Sequence, residues 1–269
     1  GWSDGHSFLP IDFSLLSSQK VTNRIGKMND AIDKRTHGYK RRMEALQSAP
    51  ERVVAMIKAA FDSGVAASYV LMDSWFTQLP LIQQLVGLGI DVIGMVKPLK
   101  QRYSYQGKRY TLAELYVQAT VVRGHSEILR SIIVELTPGL KAKIVFVTNR
   151  NKRNEWLAIL STEHTLNEQE IVRIYGMRWE IETFFKCSKS FLRLAKEFQG
   201  RSYDALISHT TIVFSRYIML SWQHRTSTDP RTLGGIFYEC CDEVNDLEWA
   251  VALQQLWSII DDVVKNCNK

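Results

Sequence analysis

The strongest constraint on the fold lies between residues 50 and 97, where helical and apolar strand-like runs alternate. Pro50 opens ERVVAMIKAAFDSGV, which carries Val53, Met56, Ile57 and Phe61 on one stripe and ends at Gly64. That is the pattern of an amphipathic helix with proline at its start and glycine at its close. SYVLMD, from Ser68 to Asp73, reads as a short buried strand. A second helix from Leu79 to Leu88 closes at Gly89, and DVIGMVK, from Asp91 to Lys97, reads as the next strand. Strand, helix and strand of this length predict a parallel α/β unit, because parallel neighbours need a crossover connection.

Composition narrows the rest. With 269 residues, 45% of them hydrophobic, the chain can bury one large core or two modest ones, and disorder is excluded. No run approaches the ~18 apolar residues of a membrane span. The opening GWSDGHSF has neither the basic nor the apolar segment of a signal peptide. A soluble cytoplasmic protein is the expectation, with no membrane partner. The net charge of +6 permits a polyanionic partner without requiring one. Cys187, Cys240, Cys241 and Cys267 form no CxxC pair and read as reduced thiols. The histidines are scattered without zinc-site spacing, and no Walker loop, GxGxxG or GxSxG occurs.

Elsewhere, Ser3, Asp4 and Gly5 read as a turn between strands, and Ser7 to Leu16 as an edge strand feeding a loop. Residues 18 to 49, with too few apolar positions for a packed element, read as a solvated connection. Between Tyr103 and Arg150 lie short β-like pieces: SYQGKRY, and the pair ILRSIIVEL and AKIVFVTNR joined by a Pro-Gly turn. WLAILS, Trp156 to Ser161, is one more strand. Three helices follow, over Leu166 to about Leu192, Tyr203 to His224 and Leu247 to Val264.

The segment IYGMRWEIETFFKCSK places Tyr175, Arg178, Glu182 and Lys189 at spacings of three, four and seven residues. On one helix, at about 100° per residue, all four fall within roughly 60° of arc. Lys186 joins them, and Met177, Ile181, Phe184 and Phe185 take the opposite, core-facing side. A carboxylate among an arginine, two lysines and a tyrosine suits a metal beside a phosphodiester, the glutamate on the cation and the basic groups on phosphate oxygens. The same spacings also make an ordinary ion-paired helix face. Asp73 ends an apolar strand, where open α/β sheets place their ligands, and there it can equally be a turn or N-cap residue.

Tyr-x2-Arg-x3-Glu-x6-Lys, met by Tyr175, Arg178, Glu182 and Lys189, resembles the signature of the insertion-sequence-four family of DDE transposases. GWSDGHSFLPIDFSLLSS, YVLMDSWF, VIGMVK, WLAILST and RWEIETFFK resemble the successive blocks of that family's catalytic domain, so the likeness covers most of the chain. It implies an RNase H-like, retroviral-integrase-like α/β core with a β-rich insertion and a helical carboxyl-terminal part. The expected division is 1–98 for a partial core, 99–162 for the insertion and 163–269 for the acidic helix and its successors.

By the same resemblance Asp73 matches the second catalytic aspartate and Glu182 the glutamate. The first aspartate, on the first core strand in an Asp-Asp-Thr or Asp-Asp-Ser block, has no match, so that strand and the preceding DNA-recognition region are expected to be missing. Asp4 reads as a turn residue, and neither it nor Asp12 is promoted in its place. The implied chemistry is phosphoryl transfer with two Mg²⁺ ions, Mn²⁺ substituting. The steps are end nicking, hairpin formation and opening, and strand transfer, on double-stranded DNA held by a homodimer and associated with the nucleoid. Tyr175, Arg178, Lys186, Lys189 and Lys97 are candidate DNA contacts. Trp156 is a candidate for stacking on a flipped base, or else a core aromatic. Two other readings stand beside this one: an inactive remnant that only binds DNA or an intact subunit, and an RNase H-type nuclease.

Overall fold

The computed structural model describes residues 1–24, 31–152, 155–196, 199–200, 202–226, 230–246 and 248–267. It forms two compact units, one of residues 1–184 with 199–208 and the other of residues 185–198 with 209–269. Among the described residues no helix is long and apolar enough to cross a membrane.

The first unit opens with a small hairpin, β1 (Trp2–Ser3) against β2 (Phe8–Leu9). Asp4 makes its turn, the carboxylate accepting from the backbone N–H groups of His6 and Ser7, while Gly5 takes a left-handed φ of 87°. The edge strand expected through Leu16 stops at Leu9. The stretch read as a solvated connection is partly ordered: a 3-10 turn at Val21–Asn23 precedes α1 (His37–Glu44), and residues 25–30 of that stretch lie outside the described set. Helix α1 is fixed by polar contacts, which apolar periodicity does not reveal. Thr36 caps it, Arg42 pairs with Asp204 at 2.5 Å, and Arg41 donates to the carbonyl of Phe13 at 2.8 Å.

Helix α2 (Ala49–Asp62) starts in a capping box between Ser48 and Glu51. Then β3 (Tyr69–Met72), α3 (Leu79–Gly87) and β4 (Asp91–Val96) form the expected parallel unit, with Met72 level with Gly94. Strands β5 (Tyr103–Tyr105) and β6 (Lys108–Tyr110) make a tight hairpin over Gln106 and Gly107, both at positive φ. A helix absent from the sequence reading, α4 (Leu112–Gln118), follows, capped by Thr111 and Glu114. After β7 (Thr120–Val121), the long pair β8 (Ile128–Thr137) and β9 (Leu140–Thr148) turns at Gly139, and β10 (Trp156–Ser161) pairs with both β9 and β4.

All eight strands from β3 onward share one mixed sheet in the order β3-β4-β10-β9-β8-β5-β6, with β7 on β8. Residues 99–162 thus extend the sheet that begins with β3 and β4. Strand alternation sorts the core into two layers. Val92, Val96, Ala158, Leu160, Ile144 and Phe146 face α3 and α4, packing with Ile82, Leu85 and Leu115. Ile93, Ile159 and Val145 face the other way, against Ile171 and Ile174. Each such side chain fully withdrawn from water contributes about 1.5 to 3 kcal/mol.

The single helix expected from Leu166 to Leu192 is two: α5 (Glu168–Gly176), capped by Asn167, and α6 (Trp179–Ser190). Between them the backbone N–H groups of Met177, Arg178, Glu180 and Ile181 each bond three residues back. That is the tighter 3-10 pattern, and it follows Gly176, a poor helix former.

The second unit holds the later half of α6, most of α7 (Tyr203–Thr226), α8 (Leu233–Asp246) and α9 (Trp249–Cys267). Its core includes Leu192, Val213, Tyr217 and Ile236, with Phe191 against Phe237 at 5.6 Å. Helix α8 falls between the helices expected from the sequence, and the expected helix start at Leu247 lies outside the described residues. Cys187 is buried, and Cys187, Cys240 and Cys241 are free thiols.

Candidate active site

Strand β3 delivers Asp73 to the carboxyl end of the sheet, and a short turn holds it there. The Asp73 carboxylate oxygen Oδ1 accepts from the backbone N–H of Trp75 at 2.9 Å and of Phe76 at 3.2 Å. Its backbone carbonyl accepts from the Thr77 hydroxyl at 2.6 Å. Thr77 is itself wedged over β4: a Cβ on Gly94 would lie 2.3 Å from the Thr77 Oγ1. Only glycine fits there, so packing of two strands and a turn fixes the Asp73 backbone. The residue remains exposed. The turn role and the ligand role foreseen for Asp73 are therefore compatible, one oxygen serving the turn on a residue that stays exposed.

Tyr175 lies on the last turn of α5, Arg178 in the 3-10 junction and Glu182 on α6, so the three do not share one unbroken helix face. Side chains rejoin what the backbone separates. The Arg178 guanidinium donates to Glu182 Oε1 at 2.8 Å and sits 5.8 Å from the centre of the Tyr175 ring. With side chains 23% and 45% exposed, this pair is worth under about 1 kcal/mol, weak enough to yield to a phosphate or a cation.

Electrostatics ties both carboxylates to the same phenol. Burial pushes the Tyr175 hydroxyl up, Arg178 opposes that, and the negative charges of Asp73 and Glu182 push it further up. Burial works against the charge on Arg178, but its bonds to Glu182 and Tyr175 more than offset this and leave its pKa raised. Asp73, Tyr175, Arg178 and Glu182 therefore form one electrostatic cluster. A cavity of about 770 Å³ runs from Arg178, Met177 and Ile181 along Tyr69, Val70 and Leu71 of β3.

Asp73 and Glu182 are hard oxygen donors, exposed and of the type that Mg²⁺ or Mn²⁺ takes. Among the described residues, however, no group of three or more His, Cys, Asp or Glu side chains is placed to hold a metal ion. The donor chemistry of the two carboxylates fits a divalent cation. Asp4 serves its hairpin turn, and Asp12 accepts from the Phe13 N–H and pairs with Arg41 at 3.4 Å.

The other sequence candidates scatter. Lys97 is exposed just past the end of β4, at the same sheet end as Asp73. Lys186 and Lys189 are exposed four and seven residues beyond Glu182 on α6, with Lys189 Nζ 5.8 Å from the Phe185 ring centre. Phe184 is buried as expected, but Phe185, expected in the core, is exposed.

Trp156 has a packing environment. Its ring stacks on Tyr116 at 5.2 Å with 10° between planes, and meets Phe146 edge-on at 5.0 Å. It belongs to the sheet face of Ala158 and Leu160, while α5 packs on the face of Ile159. One ring face is thus covered by Tyr116. Trp156→Ala should lower stability by about 2 to 4 kcal/mol, read as a fall in the thermal midpoint. An unchanged melting curve would contradict the packing role.

Trp75, not singled out in the sequence, is 58% exposed beside Asp73, its ring braced edge-on by Phe76 at 4.6 Å. Trp179 is 66% exposed. A tryptophan two residues after a strand-end aspartate was the available signal for Trp75.

Residues 34–215 match the family model described as the transposase DDE domain, a span of more than half the chain. No curated protein sequence matches the chain.

Proposed function

Since the chain belongs to the transposase DDE domain family, whose members act on DNA and generally use divalent metal ions, we propose that it is the catalytic part of an insertion-sequence-four-type transposase. In this reading Asp73 and Glu182 are two of three metal-binding carboxylates, and Tyr175, Arg178, Lys186 and Lys189 hold DNA phosphates, with Lys97 at the margin. The observation that carries the reading is the shared electrostatic environment of Asp73, Glu182 and the Tyr175–Arg178 pair. Two carboxylates from separate elements act there on the Tyr175 phenol, and one of them, Glu182, pairs with the half-buried Arg178 beside it. Arg178 is the group best suited to grip a phosphate, since its fork of donors is partly desolvated and its bond to Glu182 is easily exchanged.

A divalent ion bound there would supply charge neutralisation on the phosphate and an activated water or 3′-hydroxyl. The chain's own residues orient: the Trp75 and Phe76 amides fix one Asp73 oxygen, and Arg178 donates to Glu182. Of the two ions proposed for the intact site, Asp73 would share one with the third carboxylate and Glu182 would help hold the other. End nicking, hairpin formation and strand transfer follow from likeness to the family.

The third carboxylate is proposed to arrive on an extended segment outside these residues. Strand β3 ends the sheet order, so its outer edge has no strand partner among the described residues. The cavity along it is lined by Val53, Ile57, Val70 and Ile174. An added apolar strand would fill that slot and complete an RNase H-like core. The shortfall in carboxylates favours the reading that residues 1–269 by themselves associate with DNA without cutting it.

Binding tests the phosphate-gripping role. For a duplex oligonucleotide, the logarithm of affinity should fall linearly with the logarithm of salt, and Arg178→Ala should weaken binding and reduce the slope by about one phosphate contact. Equal affinities and equal slopes for the two proteins would remove Arg178 from the DNA interface.

A further inference from the structure

Two residues after Asp73, Trp75 stands exposed on a rigid mount. Its backbone is tied at both ends, the N–H donating to Asp73 Oδ1 at 2.9 Å and the carbonyl accepting from the Gln78 side-chain amide at 2.9 Å. Its ring meets Phe76 edge-on, and Phe76 packs against the core layer of Leu85 and Val92. The indole is therefore held in place, yet more than half of the residue stays in water. Its surroundings are of mixed character. Leu99, Lys97 and Lys100, all exposed, lie just past the end of β4, the strand that pairs parallel with β3. A tryptophan, a leucine and two cations thus gather at the sheet end that carries Asp73. Cations grip phosphates, whereas a flat apolar ring finds its best partner on DNA in the face of a base, which a stacked duplex hides.

We infer that Trp75 is a wedge that enters a base step next to the phosphodiester at Asp73, so that the chain selects DNA by how readily that step unstacks. The inference rests on the reading of this site as a DNA site and adds to it a source of sequence preference. Pyrimidine–purine steps such as TA open readily, whereas A-tracts are stiff. The cost of unstacking falls on the DNA and varies with its sequence, so a contact that makes no hydrogen bond to a base edge still discriminates. The mount matters for the same step. A ring already fixed by Asp73, Gln78 and Phe76 loses little freedom on insertion and keeps most of what stacking supplies.

The test needs binding alone, with the 269-residue chain and three duplex oligonucleotides of equal length: one with a central mismatch, one with central TA steps and one an A-tract. The mismatched duplex should bind tightest, at least about tenfold over the A-tract, with the TA duplex between them. Trp75→Ala should bind all three alike and keep the parent's salt slope, because no phosphate contact is lost. Trp75→Phe, a smaller ring on the same mount, should retain part of the order, and it decides the matter should the alanine chain not fold. Salt-sensitive binding that is equal for the three duplexes, or an order kept in full without the indole, would overturn the inference and leave the DNA reading standing. Failure of the parent to bind any duplex at low salt would overturn both.

Discussion

Glu182→Gln should abolish metal-dependent DNA cleavage, by about 10³-fold or more, in a chain extended at its amino terminus by the proposed strand, and Asp73→Asn should do the same. An amide is a far poorer ligand than a carboxylate for a hard cation, and each substitution is nearly isosteric. Duplex binding should stay within a few-fold of the parent, because the phosphate contacts are assigned to Arg178 and the lysines. Glu182→Gln also leaves Arg178 a hydrogen-bond acceptor, so the guanidinium that now donates to Glu182 at 2.8 Å keeps its place. Nicking of a supercoiled plasmid in Mg²⁺ or Mn²⁺ reads the effect. Substantial residual nicking by Glu182→Gln would sink the assignment.

The second large effect concerns the free edge of β3. Residues 1–269 by themselves should show no metal-dependent nicking. Extension at the amino terminus by an apolar segment bearing an Asp-Asp-Thr or Asp-Asp-Ser block should produce activity and raise the thermal midpoint together. The link between the two readouts is physical. A strand along β3 pairs its outer N–H and C=O groups and covers the apolar cavity beside Val70 and Ile174. The same strand brings a third carboxylate toward Asp73. A misplacement of the reacting groups by ~1 Å can cost about 10²-fold in rate, so a partial site is expected to be silent rather than slow. Robust nicking by the unextended chain would mean that another carboxylate completes the site.

Much of the sheet was legible because its strands are buried on both faces. YVLM and DVIGMV are short apolar runs flanked by glycine-closed helices, and parallel pairing follows from the helix between them. Helix α1 was not legible because polar contacts distant in sequence hold it: Arg42 to Asp204 and Arg41 to Asp12. The break between α5 and α6 was hidden for a different reason. A 3-10 turn still places neighbours three residues apart, so the periodicity of Tyr175, Arg178 and Glu182 survives a change of axis.

At the site, Asp73 was legible from its place at the end of an apolar strand. The role of Trp156 turned on parity: it shares a face with Ala158 and Leu160, opposite the face that α5 covers. Alternation along WLAILS gives that parity, but only the sheet order shows which face belongs to which helix. Trp75 went unnoticed because exposure at a turn has no sequence period.

Metal binding by Asp73 and Glu182 is the central proposal, and Mn²⁺ binding followed by electron paramagnetic resonance tests it most directly. The 269-residue chain should bind Mn²⁺ weakly, with binding tightened at least about tenfold by the amino-terminal extension and weakened in both Asp73→Asn and Glu182→Gln of the extended chain, each of which takes a ligand from one of the two ions. Undiminished Mn²⁺ affinity in those two substituted chains would contradict it.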